Sequence, residues 1–224
     1  RVDLEGVSLA LEDADDAFVR WNGEEAASAE GYYVDRCIGV RALGRVHKGI
    51  NLLEIDLPYG QRTNLEWCYL LGDFGVEVAG STSCLTEPVR ALAFGDVTHQ
   101  GLPFYGGNIT YPLPLPERAA RASIHIPHYR GAMTALSQGG KRLGNTTFAP
   151  YTCEADCRSD MPLDVTLFGS RINTFGSVHM VTDGVRFLHP GTWRTGGDGW
   201  SAEYVLEPVG VLSSPVIRAA VSSS

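Results

Sequence analysis

The sequence predicts an all-β protein, and three observations carry that prediction. Twenty-six glycines and 12 prolines punctuate its 224 residues. The runs between these breakers are strand-length and rich in Val, Ile, Leu, Thr and Tyr. They recur about every ten residues with no long amphipathic helical stripe among them, the pattern of a sandwich or jelly roll rather than of a parallel α/β sheet.

The elements follow in order. Residues 7–11 alternate in hydrophobicity. Residues 17–21 come next and close on Asn22-Gly23, a dipeptide whose readiness for positive φ suits a two-residue hairpin turn. Residues 37–43, 52–57 and 65–71 complete the first half. In the second half strand-length runs fall at 109–113, 123–126, 132–136, 148–151 and 163–167, with further ones at 178–181, 185–188 and 204–206.

The two halves also resemble each other. Lys48-Gly49-Ile50-Asn51-Leu52-Leu53-Glu54-Ile55-Asp56-Leu57, followed by Arg62-Thr63-Asn64-Leu65-Glu66, parallels Met161-Pro162-Leu163-Asp164-Val165-Thr166-Leu167, followed by Arg171-Ile172-Asn173-Thr174-Phe175. Upstream, residues 17–21 parallel 132–136, each ahead of a turn and an aromatic segment. An offset of about 110 residues relates the copies, as an internal repeat would. The second copy has a strand ahead of the shared part, around residues 106–111, that the first lacks. Gly80-Ser81-Thr82-Ser83 reads as a linker, which places a boundary between residues 81 and 88. The expected organisation is therefore tandem β-sandwich units. Residues 1–85 form the first, truncated on its N-terminal side, and residues 86–224 the second.

Composition excludes several classes. With 44% hydrophobic and 20% charged residues the chain is neither disordered nor collagenous. No apolar run approaches the roughly 18 residues of a membrane-spanning helix. The balance of 18 basic and 26 acidic residues gives a net charge of -8, without a basic stripe, which disfavours nucleic acid and anionic membranes as partners. Arg1-Val2-Asp3-Leu4 opens without Met or a basic-then-apolar leader, which fits a mature form or, as the preferred reading, a piece cut from a longer chain. Five cysteines, Cys37, Cys68, Cys84, Cys153 and Cys157, are an odd number and imply no disulfide framework. Cys153 and Cys157 lack the second ligand pair that a zinc site would need.

Three stretches resemble a known group. Gly101-Leu102-Pro103-Phe104-Tyr105-Gly106-Gly107-Asn108-Ile109-Thr110-Tyr111 looks like the entry strand of a galactose-binding-like jelly roll, the sugar-binding domain of glycoside hydrolase family two and its relatives. Phe168-Gly169-Ser170-Arg171-Ile172-Asn173-Thr174-Phe175-Gly176-Ser177-Val178-His179 resembles a segment near the end of such a module. His189-Pro190-Gly191-Thr192-Trp193-Arg194-Thr195-Gly196-Gly197-Asp198-Gly199-Trp200-Ser201 is similar to the C-terminal ends of large bacterial glycoside hydrolases of the α-L-rhamnosidase family. In those enzymes the catalytic carboxylates lie in an upstream barrel domain. The resemblance thus implies an accessory region of a secreted bacterial enzyme, with its upstream catalytic domain as partner, and no turnover by these 224 residues themselves.

Glu12-Asp13-Ala14-Asp15-Asp16 is the densest acidic run; it reads as a solvated turn, with a structural calcium ion as the alternative, although it lacks EF-hand spacing. No other cofactor is expected. No G-x-S-x-G elbow, H-E-x-x-H pair or phosphate-binding glycine motif occurs. His125 and His128 read as surface imidazoles, and His179 and His189 as structural hydrogen-bonding groups. Asn108-Ile109-Thr110 and Asn145-Thr146-Thr147 fit the glycosylation sequon, which carries no meaning in a bacterial source.

Sugar binding asks for an aromatic face and a few polar groups. Trp193, Arg194, Asp198 and Trp200 supply both in one Gly-rich segment and are the candidate carbohydrate-binding residues. Trp21, Tyr32, Tyr33 and Trp67 read as core residues or inter-unit contacts. The function expected is equilibrium binding of a polysaccharide or oligosaccharide. A purely structural sandwich packed on a catalytic domain, and a hydrolase with an unrecognised carboxylate pair, are the alternatives.

Overall fold

The computed structural model describes residues 2–61, 63, 67–181 and 188–221. Every sheet in it is antiparallel, and its only α-helix among the described residues is a single turn, α1 (Ile172–Phe175). None of the described helices is long and apolar enough to cross a membrane. The chain divides into two compact units: residues 1–75 with 84–88, and residues 76–83 with 89–224.

The first unit carries β1 (Leu4–Glu12), β2 (Phe18–Trp21), β3 (Glu24–Glu25), β4 (Tyr32–Tyr33), β5 (Asp35–Val46), β6 (Leu53–Asp56) and β7 (Tyr69–Leu71). Its sheets run in the orders β4-β5-β1-β7 and β3-β2-β6. Asn22 and Gly23 take φ of 53° and 86° between β2 and β3, the positive-φ pair that a tight hairpin demands. Val7, Leu9 and Leu11 from one sheet and Val19 and Trp21 from the other form a shared core with Leu43 and Val46. Each such side chain fully removed from water contributes roughly 1.5–3 kcal/mol.

A hairpin of β8 (Gly75–Ala79) and β9 (Thr82–Thr86) follows. Gly80-Ser81-Thr82-Ser83, expected to be a linker, supplies its turn and the start of β9: Gly80 and Ser81 turn the chain with Gly80 at φ 61°, and the Thr82 hydroxyl donates to the Ala79 carbonyl at 2.9 Å. Small and polar residues mark a tight turn as readily as a tether.

The second unit carries β10 (Ile109–Leu113), β11 (Ala119–His125), β12 (Tyr129–Arg130), β13 (Met133–Gln138), β14 (Lys141–Asn145), β15 (Thr152–Asp156), β16 (Leu163–Phe168), β17 (Gly210–Val211) and β18 (Val216–Val221). Its main sheets run β10-β16-β13-β14 and β15-β11-β18. Strict alternation in β10 and β16 sends Ile109, Tyr111, Leu113, Leu163, Val165 and Leu167 inward. There they meet Ala122 and Ile124 of the opposing sheet. This is the sandwich arrangement the sequence predicts.

The two units share one strand order. β5-β1-β7 corresponds to β15-β11-β18, and β3-β2-β6 to β14-β13-β16. The repeat read from the sequence coincides with the β2/β6 and β13/β16 pairs, with one adjustment. Trp21 pairs with Leu53, whereas Leu136 pairs with Val165, so the structural match of β6 onto β16 is shifted by two residues from the sequence match. An even shift keeps every side chain on its face.

Three expected strands are absent. Residues 148–151 form a turn closed by the Tyr151 amide on the Phe148 carbonyl at 2.7 Å, because Pro150 has no amide to give a ladder. Residues 178–181 and 204–206 lie in loops joined by scattered backbone bonds, such as Val205 N to Val178 O at 2.7 Å. Of the expected strand 185–188, residues 185–187 lie outside the described residues, as do 65 and 66 of the expected strand 65–71.

Candidate functional site

The Gly-rich C-terminal segment is built on a short 3-10 turn, Pro190–Thr192. The His189 ring accepts from the Gly191 amide at 3.2 Å, and the Thr192 hydroxyl donates to the His189 carbonyl at 2.8 Å. Thr192 is buried, and the residue after it, Trp193, lies 43% exposed. Arg194 folds back, its Nε donating to the Gly191 carbonyl at 2.8 Å, so its guanidinium stays beside the turn. Asp198 is exposed in the following glycine turn, where Gly197 takes φ 81° and the Trp200 amide closes on the Gly197 carbonyl at 3.1 Å.

Trp200 has a different environment. It bridges to Met180 through the backbone, and its half-buried ring lies 6.3 Å from that of His179. His179 is itself 4.8 Å from the Tyr204 ring, which is 5.5 Å from Phe104. The His179 Nδ1 also contacts the carbonyls of Ser201 and Glu203 at 3.1 and 3.2 Å. The four candidates therefore separate into an exposed trio, Trp193, Arg194 and Asp198, and a packing residue, Trp200. A partly exposed indole can stack against an apolar face, and Arg194 and Asp198 place a cation and a carboxylate in the same loop.

A second exposed aromatic group escaped the sequence reading. Phe148 is 81% exposed and Tyr151 39% exposed around the Ala149–Pro150 turn, whose peptide bond is cis. Tyr129 stands edge-on to Tyr151 at 6.2 Å and donates its hydroxyl to the Thr147 carbonyl at 3.2 Å. The signal was a proline between two aromatics, which fits a loop better than a strand. In the first unit Trp21 is buried, its Nε1 donating to the Arg45 carbonyl at 2.8 Å, and Tyr33 packs 5.9 Å from Tyr69. Tyr32 and Trp67 are exposed and so are not core residues.

The two glycine-containing stretches, residues 101–111 and 168–179, lie against each other. The Asn108 side chain accepts from the Gly169 amide at 3.4 Å, and Thr174 donates to the Phe104 carbonyl at 2.8 Å. Asn173 is buried and exchanges two bonds with the Glu207 backbone, at 2.8 and 2.9 Å. Asn108 and Thr174 fasten the start of β10 to the end of β16, and Asn173 ties the segment after β16 to the chain ahead of β17.

The acidic run 12–16 forms a turn around Asp13, whose carbonyl accepts the amides of Asp16 and Ala17 at 3.0 and 3.1 Å. Beneath it the buried Arg41 guanidinium donates to the Ala14, Ala17 and Ala27 carbonyls. The positive charge under this turn is thus an arginine. Among the described residues no three His, Cys, Asp or Glu side chains gather as metal ligands would. A shallow depression of about 360 Å³ lies beside β10, lined by Pro112, Pro114, Leu115, Asp160 and Met161. Its acidic lining residue is engaged: Arg158 beside Asp160 holds that carboxyl below the usual carboxylate range.

Cys37 is exposed, yet its environment suppresses the thiolate. The Asp35 carboxylate accepts the Cys37 amide at 2.9 Å and, with Glu12 and Asp13 nearby, pushes the thiol above its usual range. Alkylation by iodoacetamide near pH 7.5 should be slow for so accessible a cysteine and should accelerate in Asp35→Asn. Mass-spectrometric labelling rates check this, and equal rates in the two proteins would remove Asp35 as the cause.

The fold and these surfaces define an all-β protein of two antiparallel units with an exposed aromatic, cationic and acidic loop on the second. Comparison with family models, with curated proteins and with solved structures returned no match.

Proposed function

We propose that the chain is a non-catalytic carbohydrate-binding region, accessory to a secreted bacterial glycoside hydrolase. The observation that carries the proposal is Trp193, a large ring left open to solvent at the end of a hydrogen-bonded turn, with Arg194 and Asp198 in the same loop. A pyranose stacks its apolar face on such a ring, while a guanidinium and a carboxylate serve its hydroxyls as donor and acceptor. Binding of one ring-sized ligand to an open surface is weak, in the millimolar to micromolar range, because ordering costs offset most of the contact energy. Weak binding is sufficient when its purpose is to raise the effective concentration of a joined catalytic domain on a glycan. The galactose-binding-like resemblance and the sandwich units support the same reading.

A glycan array followed by calorimetry on the best ligand tests it. Trp193→Ala should abolish measurable binding while leaving the thermal midpoint within a degree or so of the parent, since an exposed ring contributes little to stability. Trp200→Ala should instead destabilise by about 2 kcal/mol, roughly half the value of a fully buried tryptophan. Retained affinity in Trp193→Ala, or an array without a single bound glycan, would reject the proposal.

A further inference from the structure

We infer that the outer edge of β6 accepts one further antiparallel strand, a segment with apolar side chains at every second position that leads into β1 as β10 leads into β11. The matched strand orders locate this edge. In the second unit β16 is flanked by β13 and β10, whereas among the described residues β6 is flanked by β2 alone.

Hydrogen-bond parity shows which groups the edge presents. The Asn22 amide donates to the Leu52 carbonyl at 2.8 Å, and the Ala26 amide to the Val19 carbonyl at 2.9 Å. Bonding pairs alternate along an antiparallel ladder, so Glu54 and Asp56 face β2, and the N–H and C=O groups of Leu53 and Ile55 point the other way. In the second unit the Ala132 amide donates to the Phe168 carbonyl at 2.8 Å, which by the same rule turns Leu163, Val165 and Leu167 toward β10. Pro112, which has no amide, stands opposite Asp164, a non-bonding position. The edge that carries β10 in one unit is therefore the edge left open in the other, with identical parity.

Burial supplies an independent observation. Leu163, Val165 and Leu167 are each 0% exposed. Leu53, Ile55 and Leu57 repeat their pattern, yet they are only half-buried beside the first core. A strand bringing inward-facing apolar residues to this edge would cover them as Ile109, Tyr111 and Leu113 help to cover β16. Its outward residues would lie on the polar face where Arg20 pairs with Glu54 and Asp56 at 3.3 Å. The occupant belongs to the same polypeptide, because β10 reaches β11 through only the five residues 114–118 and β1 is the counterpart of β11.

The test fuses a second copy of residues 108–115 directly ahead of Arg1, which reproduces that connection before Leu4. A control carries serine at the positions copied from Ile109, Tyr111 and Leu113. Amide hydrogen exchange at Leu53 and Ile55 is the readout, and it should slow by about tenfold or more in the fused chain but not in the control. Unchanged exchange in the fused chain, or equal slowing in the serine control, would overturn the inference. Slowing by the free peptide but not by the fused copy would overturn the assignment to the same polypeptide.

Discussion

Arg41→Ala should destabilise the first unit by about 3–5 kcal/mol, a large part of what holds a domain of this size folded. The side chain is 8% exposed on β5 and its acceptors are three backbone carbonyls, those of Ala14, Ala17 and Ala27. Ala14 and Ala17 are themselves buried, so truncation strands their carbonyls where water reaches them poorly. Each buried acceptor left without a donor costs about 1–3 kcal/mol, and the space vacated by the guanidinium adds to that. Arg41→Lys should recover only part of the loss, since one ammonium cannot repeat the planar fork that serves three carbonyls at once. Urea denaturation, with amide exchange at Leu9 and Val19 reporting on the first core, measures both variants. A loss below about 1 kcal/mol for Arg41→Ala would mean that the carbonyls find other donors.

How legible these features were in the sequence depends on the range of the interactions that produce them. Residues 109–113 and 163–167 were readable almost to the residue, because one face of β10 and of β16 enters the core and the pattern alternates with it. Residues 178–181 and 204–206 misled because Val178 is fully buried by loop packing, and burial of a short apolar run looks the same in a loop as in a strand. The turn at Gly80 has the composition of a tether, since Gly, Ser and Thr serve both. Arg41 could not be foreseen as a buried residue: nothing local announces that the carbonyls of residues 14, 17 and 27 will converge on it. The candidate site shows the same limit. Trp193 and Trp200 sit in similar glycine-rich surroundings, and distant partners, Met180 and His179, distinguish the packed residue from the exposed one.

Gly169→Ala should be comparably damaging to the second unit, for a steric reason. A methyl group at Gly169 would lie 2.1 Å from the Gly107 carbonyl oxygen and 3.2 Å from that of Gly106. Both obstacles are backbone, so no rotamer change relieves the overlap. The chain must instead separate the start of β10 from the end of β16, and the first casualties are the pairing of Ile109 with Leu167 and the burial of Ile109. Overpacking in a core usually costs about 1–3 kcal/mol, and a clash between two stretches of main chain belongs at or above the top of that range. At roughly 2–4 °C per kcal/mol for a unit of this length, the thermal midpoint should fall by about 10 °C. Gly196→Ala is the matched control, because a methyl there meets nothing within 4 Å. Amide exchange at Val165 and Leu167 should accelerate in Gly169→Ala and stay at the parent rate in Gly196→Ala. If the two variants melt together, the backbones at Gly169 and Gly107 separate without loosening the β10–β16 ladder, and their close approach is not what the stability of the second unit depends on.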